Sequence, residues 1–381
     1  MGSSLIMARR AIPWVLLAVG ALGALTAAIV DGRAAAAATS QDWPPFVLVT
    51  GLLLVGRVAH QEGLFSAVGQ QLARIAPGSG SLFVGGCLAT AVITAVLNLD
   101  TAVAFLTPVL LHAARRREVA TGPLLYGSLL LANAGSLLLP GSNLTNLIVL
   151  GHLHLSGAGF LERMWPSWLA AIVITAMVVG MVEHSQVGGA GARQSTAERT
   201  RFGVGAVAVI AAAVLVLTLS APALPVFAVG AVATAIQGAR GRAEFGAIVR
   251  DLDLPILLGL FSLAVALGTL GRAWNWPSAL SGHVGIWGTA AVGAGASVVT
   301  NNLPAASLLG AHTPAHPLAL LIGLNLGPNL CATGSLAWVL WRRSAYAAGE
   351  HPSLAHASRL GLLSVPPALS AAVALLVLRS H

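Results

Sequence analysis

The chain has 381 residues, of which 56% are hydrophobic and only 8% charged. A soluble domain carries about 25% charged residues, so this composition excludes an ordinary water-soluble enzyme and fits a polytopic membrane protein, in which apolar runs of ~20 residues recur. The formal charge of +8 does not indicate nucleic acid, because the basic residues lie between apolar runs; all are arginine, and the lack of lysine excludes a Walker A loop, a Schiff base and a lysine general base.

In chain order, Arg9-Arg10 precede the apolar run Ala11–Val30. The start resembles a signal peptide, but a run of about 20 residues exceeds a usual signal core, so it is expected to stay as the first span. Pro45–Val58 is the next candidate span, and His60–Ala76 reads as an interfacial helix with Leu64, Phe65 and Val68 on its apolar side. Residues 81–112 form an apolar run with a polar centre, LNLDTA, which fits a re-entrant hairpin. Residues 121–155 are apolar but broken by LANAGSLLLPGSNLTNLIV. Pro166–Val182, Phe202–Ser220, Ala223–Gln237 and Leu254–Gly271 are further spans. A second polar-centred run, 284–312, carries VTNNLPA, and a second broken segment, 316–341, carries LNLGPNLCATGSLAWVL. Leu360–Leu378 is the last span.

Charge sets the expected orientation. With the N-terminus in the cytoplasm and both polar-centred runs as hairpins, only Arg33, Arg163, Arg272 and Arg379 fall outside. Trp14, Trp43, Trp165, Trp168, Trp274, Trp276 and Trp341 lie near expected span ends, as an interfacial belt requires. The polar stretch 185–201 reads as a cytoplasmic linker between two halves, 1–184 and 202–381. Each half has a hairpin followed by a broken span, and Asn133, Gly135 and Asn143 correspond to Asn325, Gly327 and Ser335. One hairpin enters from each side, which makes an inverted repeat, an architecture of secondary transporters.

Irregular backbone at membrane depth is tolerated only inside protein or along a cavity. Gly135, Pro140-Gly141, Gly327-Pro328 and Gly334 interrupt helices there and bring half-helix ends toward the midplane. The candidate binding residues are Asn98, Asp100, Thr101, Asn301 and Asn302 at the hairpin tips. Asn133, Ser142, Asn143, Thr145, Asn325, Asn329, Thr333 and Ser335 line the breaks. The plain alternatives are caps and turns at the tips and interhelical hydrogen bonds in the breaks. Asp100 is the one carboxylate read inside an apolar run. A charge there costs ~2.5 kcal/mol or more, and Ser or Asn would cap a helix as well, so Asp100 is read as the group that carries a proton or neutralises a bound cation. Thr107-Pro108 is expected to kink its hairpin arm. Glu62 and Glu183, near the cytoplasmic boundary, read as solvated, and Cys87 and Cys331 fit no disulfide framework. His152 and His154 lack a third ligand, so neither a metal nor a cofactor is expected.

NLDTAVAFLTPVLLHAARR, NAGSLLLPGSNLTNLIV, SVVTNNLPAASLLGA and LIGLNLGPNLCATGSLAWVLW resemble the arsenite/antimonite efflux permeases of the ion transporter superfamily, over roughly 45–341. The resemblance implies paired hairpins, elevator-like movement of the repeat core, a homodimer, and proton-driven export of trivalent arsenite or antimonite across the inner membrane. In some members a separate cytoplasmic ATPase takes part. Two features depart from the pattern: the loops are trimmed, and Leu99 separates Asn98 from Asp100. Trivalent arsenic is thiophilic, which makes Cys331 a candidate contact, but a small apolar filler is the preferred reading. A sodium/proton antiporter or an organic-anion carrier of the same architecture is the rival. An intramembrane protease is disfavoured, since Asp100 has no carboxylate partner and HExxH is absent.

Overall fold

The computed structural model describes residues 2–76, 78–151, 153, 155–187, 203–219, 221–241, 246, 252, 254–274 and 283–379. Among these, every regular element is helical. Trp276, His152, His154 and most of the linker 185–201 lie outside the described residues. The chain begins with α1 (Gly2–Val30), α2 (Gly32–Gln61), the amphipathic α3 (Leu64–Ile75) and α4 (Ser79–Val96). After a tip at Leu97-Asn98 come α5 (Leu99–Thr101), a wide π turn (Ala102–Leu106) and α6 (Thr107–Arg116). The first broken span is α7 (Gly122–Gly135), a 3-10 turn (Pro140–Ser142) and α8 (Leu144–Leu150). Next come α9 (Gly157–Val182), α10 (His184–Val187), α11 (Val204–Thr218), α12 (Ala223–Ala239) and α13 (Leu254–Ala273). Then come α14 (Gly285–Thr300), α15 (Asn302–Leu309) and α16 (Pro317–Leu326). A 3-10 turn (Gly327–Leu330), α17 (Ala337–Ala347) and α18 (Leu354–Leu378) follow. Among the described residues, six helices are long and apolar enough to cross a membrane: Pro13–Val30 within α1, and α2, α4, α9, α13 and α18.

The sequence reading begins this span at Pro45, yet α2 runs unbroken from Gly32 through Pro44 and Pro45. Asp31 caps it, accepting from the Ala34 amide at 2.9 Å, and an alanine-rich first turn favours helix. As a result Gln41 and Asp42 lie inside a helix, and Asp42 is 1% exposed. Asp42 is thus a buried carboxylate, whereas Asp100 is only half-buried.

α4 and the α5–α6 arm form an antiparallel pair that starts and finishes at one end. There the buried Arg117 Nη2 donates to the Ala76 carbonyl at 2.6 Å, joining the exit of α6 to the entry of α4. Pro108 has no N–H, so the Ala104 carbonyl four residues earlier loses its helical donor. The arm widens into the π turn at that point, and the Ser344 hydroxyl of α17 donates to the Ala104 carbonyl at 3.0 Å.

The two broken spans occupy the centre: Leu129–Asn133 of α7 and Leu320–Leu326 of α16 are buried. Small residues let backbones close on them, as membrane helix packing favours. A Cβ on Gly361 of α18 would lie 1.7 Å from the Asn329 carbonyl oxygen, so glycine alone permits this approach to the second break. Of the tryptophans placed at the interface, Trp14, Trp43, Trp165 and Trp274 are exposed and suit that role. Trp341 does not: it is 0% exposed, packs edge-on to Trp338 and donates to the Leu125 carbonyl at 2.7 Å. Glu62 and Glu183 are likewise engaged rather than solvated. Glu62 accepts from the Gly205 amide at 2.6 Å and from Gln237 at 2.5 Å, and buried Glu183 meets His356 at 2.6 Å.

Gly361→Ala is expected to lower the thermal midpoint in detergent, since overpacking costs ~1–3 kcal/mol. Circular dichroism melts of the two proteins check this, and an unchanged midpoint would contradict the contact.

Candidate functional site

Asparagine starts three of the half-helices near the centre; α17 starts at Leu336 with no side-chain cap. Asn98 Oδ1 accepts from the Thr101 amide at 2.6 Å, Asn143 Oδ1 from Thr145 at 3.2 Å and Asn301 Oδ1 from Leu303 at 3.4 Å. Asn301 takes φ +79° and ψ 148°, an extended positive-φ conformation that otherwise suits glycine. Asp100 is thus not the cap of its arm. Asn98 fills that role, and the Asp100 carboxylate makes no hydrogen bond or ion pair among the described residues.

The asparagines of the breaks bind one another. Asn133 Nδ2 donates to Asn329 Oδ1 at 2.8 Å, and Asn329 Nδ2 donates to the Leu130 carbonyl at 2.9 Å. Asn325 Oδ1 accepts from Asn143 Nδ2 at 2.7 Å and from the Ser136 hydroxyl at 2.5 Å. Asn325 Nδ2 donates to Asn146 Oδ1 and to the Leu321 carbonyl, both at 2.8 Å. Asn146 Nδ2 donates to the Ser136 carbonyl at 2.7 Å, and the Ser142 hydroxyl meets the Ser136 and Leu139 carbonyls at 2.5 Å. Trp168 Nε1 donates to the Gly135 carbonyl at 3.2 Å, and Trp338 Nε1 donates to the Pro328 carbonyl at 2.8 Å. The carbonyls opened by each break are thus served by side chains, mostly from the same broken span or its neighbours in sequence, while the bonds between the two broken spans run chiefly from side chain to side chain. The sequence reading did not pick out Ser136, Asn146 or Trp338. Asn146 carried a signal: it lies three residues after Asn143, on the same face of the first turn of α8.

The second tip joins the second break. The Asn302 amide donates to the Gly334 carbonyl at 2.8 Å, and Asn301 Nδ2 donates to the Thr333 carbonyl at 3.1 Å. Thr333 Oγ1 donates to the Val298 carbonyl at 2.8 Å and lies 2.9 Å from Cys331 Sγ. A cavity of about 390 Å³ reaches this junction. Its walls include Asn301, Thr333 and Ser335, the first half of α13 (Ile256, Leu260 and Leu263), and Arg342 and Arg343 of α17. Asn98, Asp100 and Thr101 are not on that wall. Ser335 links the cavity to the first break by donating to Asn133 Oδ1 at 3.4 Å.

Around the first tip the polar groups are not satisfied. Asn98 Nδ2, Thr101 Oγ1, Thr94 Oγ1 and Thr145 Oγ1 are buried without a hydrogen-bond partner. They lie on α4, the tip, α5 and α8. α4 packs on the Pro140–Ser142 turn and on α5, and α2 packs on α5, that turn and α8. Thr94 abuts Gly135 at the first break, and Thr101 abuts Gly56 of α2. Buried polar groups normally find partners, so these unmet donors and acceptors make the first tip and break the candidate place for a polar ligand. Among the described residues no three His, Cys, Asp or Glu side chains converge as a metal site.

A family model described as citrate transporter matches residues 4–330, and the chain belongs to that family, one of membrane transporters rather than enzymes. The chain is 26% identical over 373 aligned residues to the arsenical pump membrane protein of Escherichia coli K12, covering 88% of this chain and 86% of that protein. It is 30% identical over 125 residues to the inner membrane protein YbiR of Escherichia coli K12, covering 33% of this chain and 34% of that protein. It is 29% identical over 140 residues to the rice silicon efflux transporter LSI3, covering 37% of this chain and 29% of that protein. The matches to YbiR and LSI3 thus span about a third of those relatives. The crystal structure of the YdaH transporter of Alcanivorax borkumensis shares the fold, with a TM-score of 0.56 and 13% identity over 91% of this chain and 87% of that one.

The two parts of the site separate by substitution. Asn325→Ala removes the close partner of Asn143 Nδ2 and the donor to Asn146 Oδ1, and each buried group left unsatisfied costs ~1–3 kcal/mol, so its detergent melt is expected to fall sharply. Thr101→Val removes a hydroxyl that already lacks a partner, so its melt is expected to stay at or above wild type while transport falls. A Thr101→Val protein that transports normally would remove this hydroxyl from the site.

Proposed function

We propose that this secondary transporter exports trivalent arsenite or antimonite from the cytoplasm in exchange for protons. The observation that carries the reading is the set of unpartnered polar groups at the first tip and break, in the short helix that also carries Asp100 and in its neighbours. Arsenite at neutral pH is the uncharged As(OH)₃, whose hydroxyls both donate and accept. Thr94, Thr101, Thr145 and Asn98 match such a solute, with Asp100 accepting from it. Protonation of Asp100 removes that acceptor, so proton and solute compete for one group, which is what antiport requires. Relatives named for arsenical pumping and for silicon efflux support this class, because dissolved silicon at neutral pH is also an uncharged hydroxide.

In this reading the arginine-rich end faces the cytoplasm, with the N-terminus. The halves 1–184 and 202–381 form an inverted repeat whose hairpins enter from opposite sides and move, elevator-like, against the remaining helices. The asparagines of the breaks hold the mobile core together, while the first tip binds. Thr333, Ser335 and Asn301 line the approach from the cytoplasm, and Cys331 stands beside Thr333 without chelating. A homodimer and a docked cytoplasmic ATPase belong to the same reading.

A second reading, an organic-anion carrier, is favoured by two observations. The matched family is described as citrate transporter, and Arg342 and Arg343 stand on the cavity wall where they would draw an anion inward.

Everted vesicles with acid interior and no ATP test the choice. Wild type is expected to accumulate arsenite without sodium, and Asp100→Asn, at equal expression, to fall to the level of vesicles lacking the protein. Citrate flux without arsenite flux would establish the second reading instead. Undiminished arsenite uptake by Asp100→Asn would remove Asp100 from coupling.

A further inference from the structure

The cavity opens beside Arg342 and Arg343, and a different cluster closes the opposite end. α13 runs from Ile256, on the cavity wall, to Arg272 in its last turn, about 24 Å along the axis at 1.5 Å per residue. At that far end Arg272 Nη2 donates to Gln41 Oε1, and Nη1 donates to the Gly268 carbonyl at 2.9 Å. Gln41 Nε2 then reaches two other elements at once. It donates at 3.0 Å to the Ile148 carbonyl of α8 and at 3.0 Å to the Gly310 carbonyl that ends α15. Those two carbonyls belong to the first broken span and to the second hairpin.

Asp42 backs the arrangement. Its side chain is buried, its Oδ2 has no hydrogen-bond partner, and it lies with the Arg272 guanidinium beside Gly268. A Cβ on Gly268 would be 3.2 Å from Arg272 Nη1 and 3.7 Å from Asp42 Oδ2, so glycine leaves the space in which the two charges face each other. A buried charge of this kind is stable only with a counter-charge nearby.

We propose that Gln41, held by Arg272 and Asp42, is the gate at the end opposite the cavity. It clasps the ends of the first broken span and the second hairpin to the α2–α13 wall, and it must let go before the site can open on that side. The proposal rests on the alternating-access reading above but not on the identity of the solute. Neither Gln41 nor Arg272 touches the tips or the asparagine network. A carbonyl clasp suits such a gate: the amide holds α8 and α15 through backbone oxygens, so release leaves no charge behind on the moving side.

The test uses full-length protein with Cys87→Ala, Cys331→Ala and a Thr333→Cys reporter, labelled by a membrane-impermeant maleimide in everted and right-side-out vesicles. The parent is expected to label mainly from the arginine-rich face. Gln41→Ala and Arg272→Gln are expected to shift the ratio toward the opposite face by about tenfold, the population change for losing one charge-assisted hydrogen bond. An unshifted ratio in both variants, with folding shown by monodisperse elution, overturns the gate. It spares the transporter reading, because labelling needs no substrate.

A locked form gives the converse. A Cβ on Gly151 lies 3.5 Å from Gln41 Cγ, within reach of a disulfide between Gln41→Cys and Gly151→Cys. Oxidation is expected to abolish labelling from the opposite face, and reduction to restore it. Opposite-face labelling that persists with the disulfide formed overturns the proposal.

Discussion

The rule that no backbone polar group goes unmet inside a bilayer governs the centre of this molecule. Two spans break there, and the carbonyls they free are met mostly nearby in the chain, Ser136 and Leu139 by Ser142 and Asn146, and Pro328 by Trp338. The side chains of the two breaks then bind one another. Asn325 reaches Asn143, Asn146 and Ser136 across the interface, while Asn329 reaches Asn133 and the Leu130 carbonyl. These amides tie the two broken spans together, where apolar contact gives little drive for association among lipid tails. The tight approaches at Gly361 and elsewhere bring the backbones near enough for these short side chains to bridge.

Saturation at the centre makes the unsaturated edge informative. If every polar residue in the breaks were part of a binding site, the asparagines would have amides to offer. They do not: Asn133, Asn325, Asn329 and Asn146 are engaged with partners inside the protein. The first tip differs, with Thr101 and the Asn98 amide left over after capping is complete. The π turn contributes to this asymmetry. Pro108 forces it open, Ser344 closes the freed carbonyl, and α17 is thereby fastened to the arm that carries Asp100.

Much of this was legible in the sequence. LNLDTA and VTNNLPA mark tips, and the glycine and proline breaks mark interruptions, because turn chemistry in an apolar run has few other uses. The cap reading of Asn98, Asn143 and Asn301 was also available from residue type. What could not be read was pairing across the halves: composition shows that Asn325 is polar, but not that Asn143 and Ser136 will meet it. Asp42 was missed for a local reason. The span was read from Pro45, which left Asp42 outside it, whereas the alanine-rich turn before it carries the helix through. Trp341 was misplaced because position near a span end says nothing of rotation about the helix, and α17 turns that ring inward.

The asparagine network has a genetic consequence. One nucleotide separates the codons of asparagine from those of aspartate. On the surface such a change is nearly silent, because the two side chains have the same shape. At Asn133, Asn143, Asn146, Asn325 or Asn329 it would replace two donors with a charge, in a place where neighbouring carbonyls already present oxygen. The commonest conservative exchange for this residue is therefore among the most damaging here. Natural variants at these positions should favour histidine or serine over aspartate.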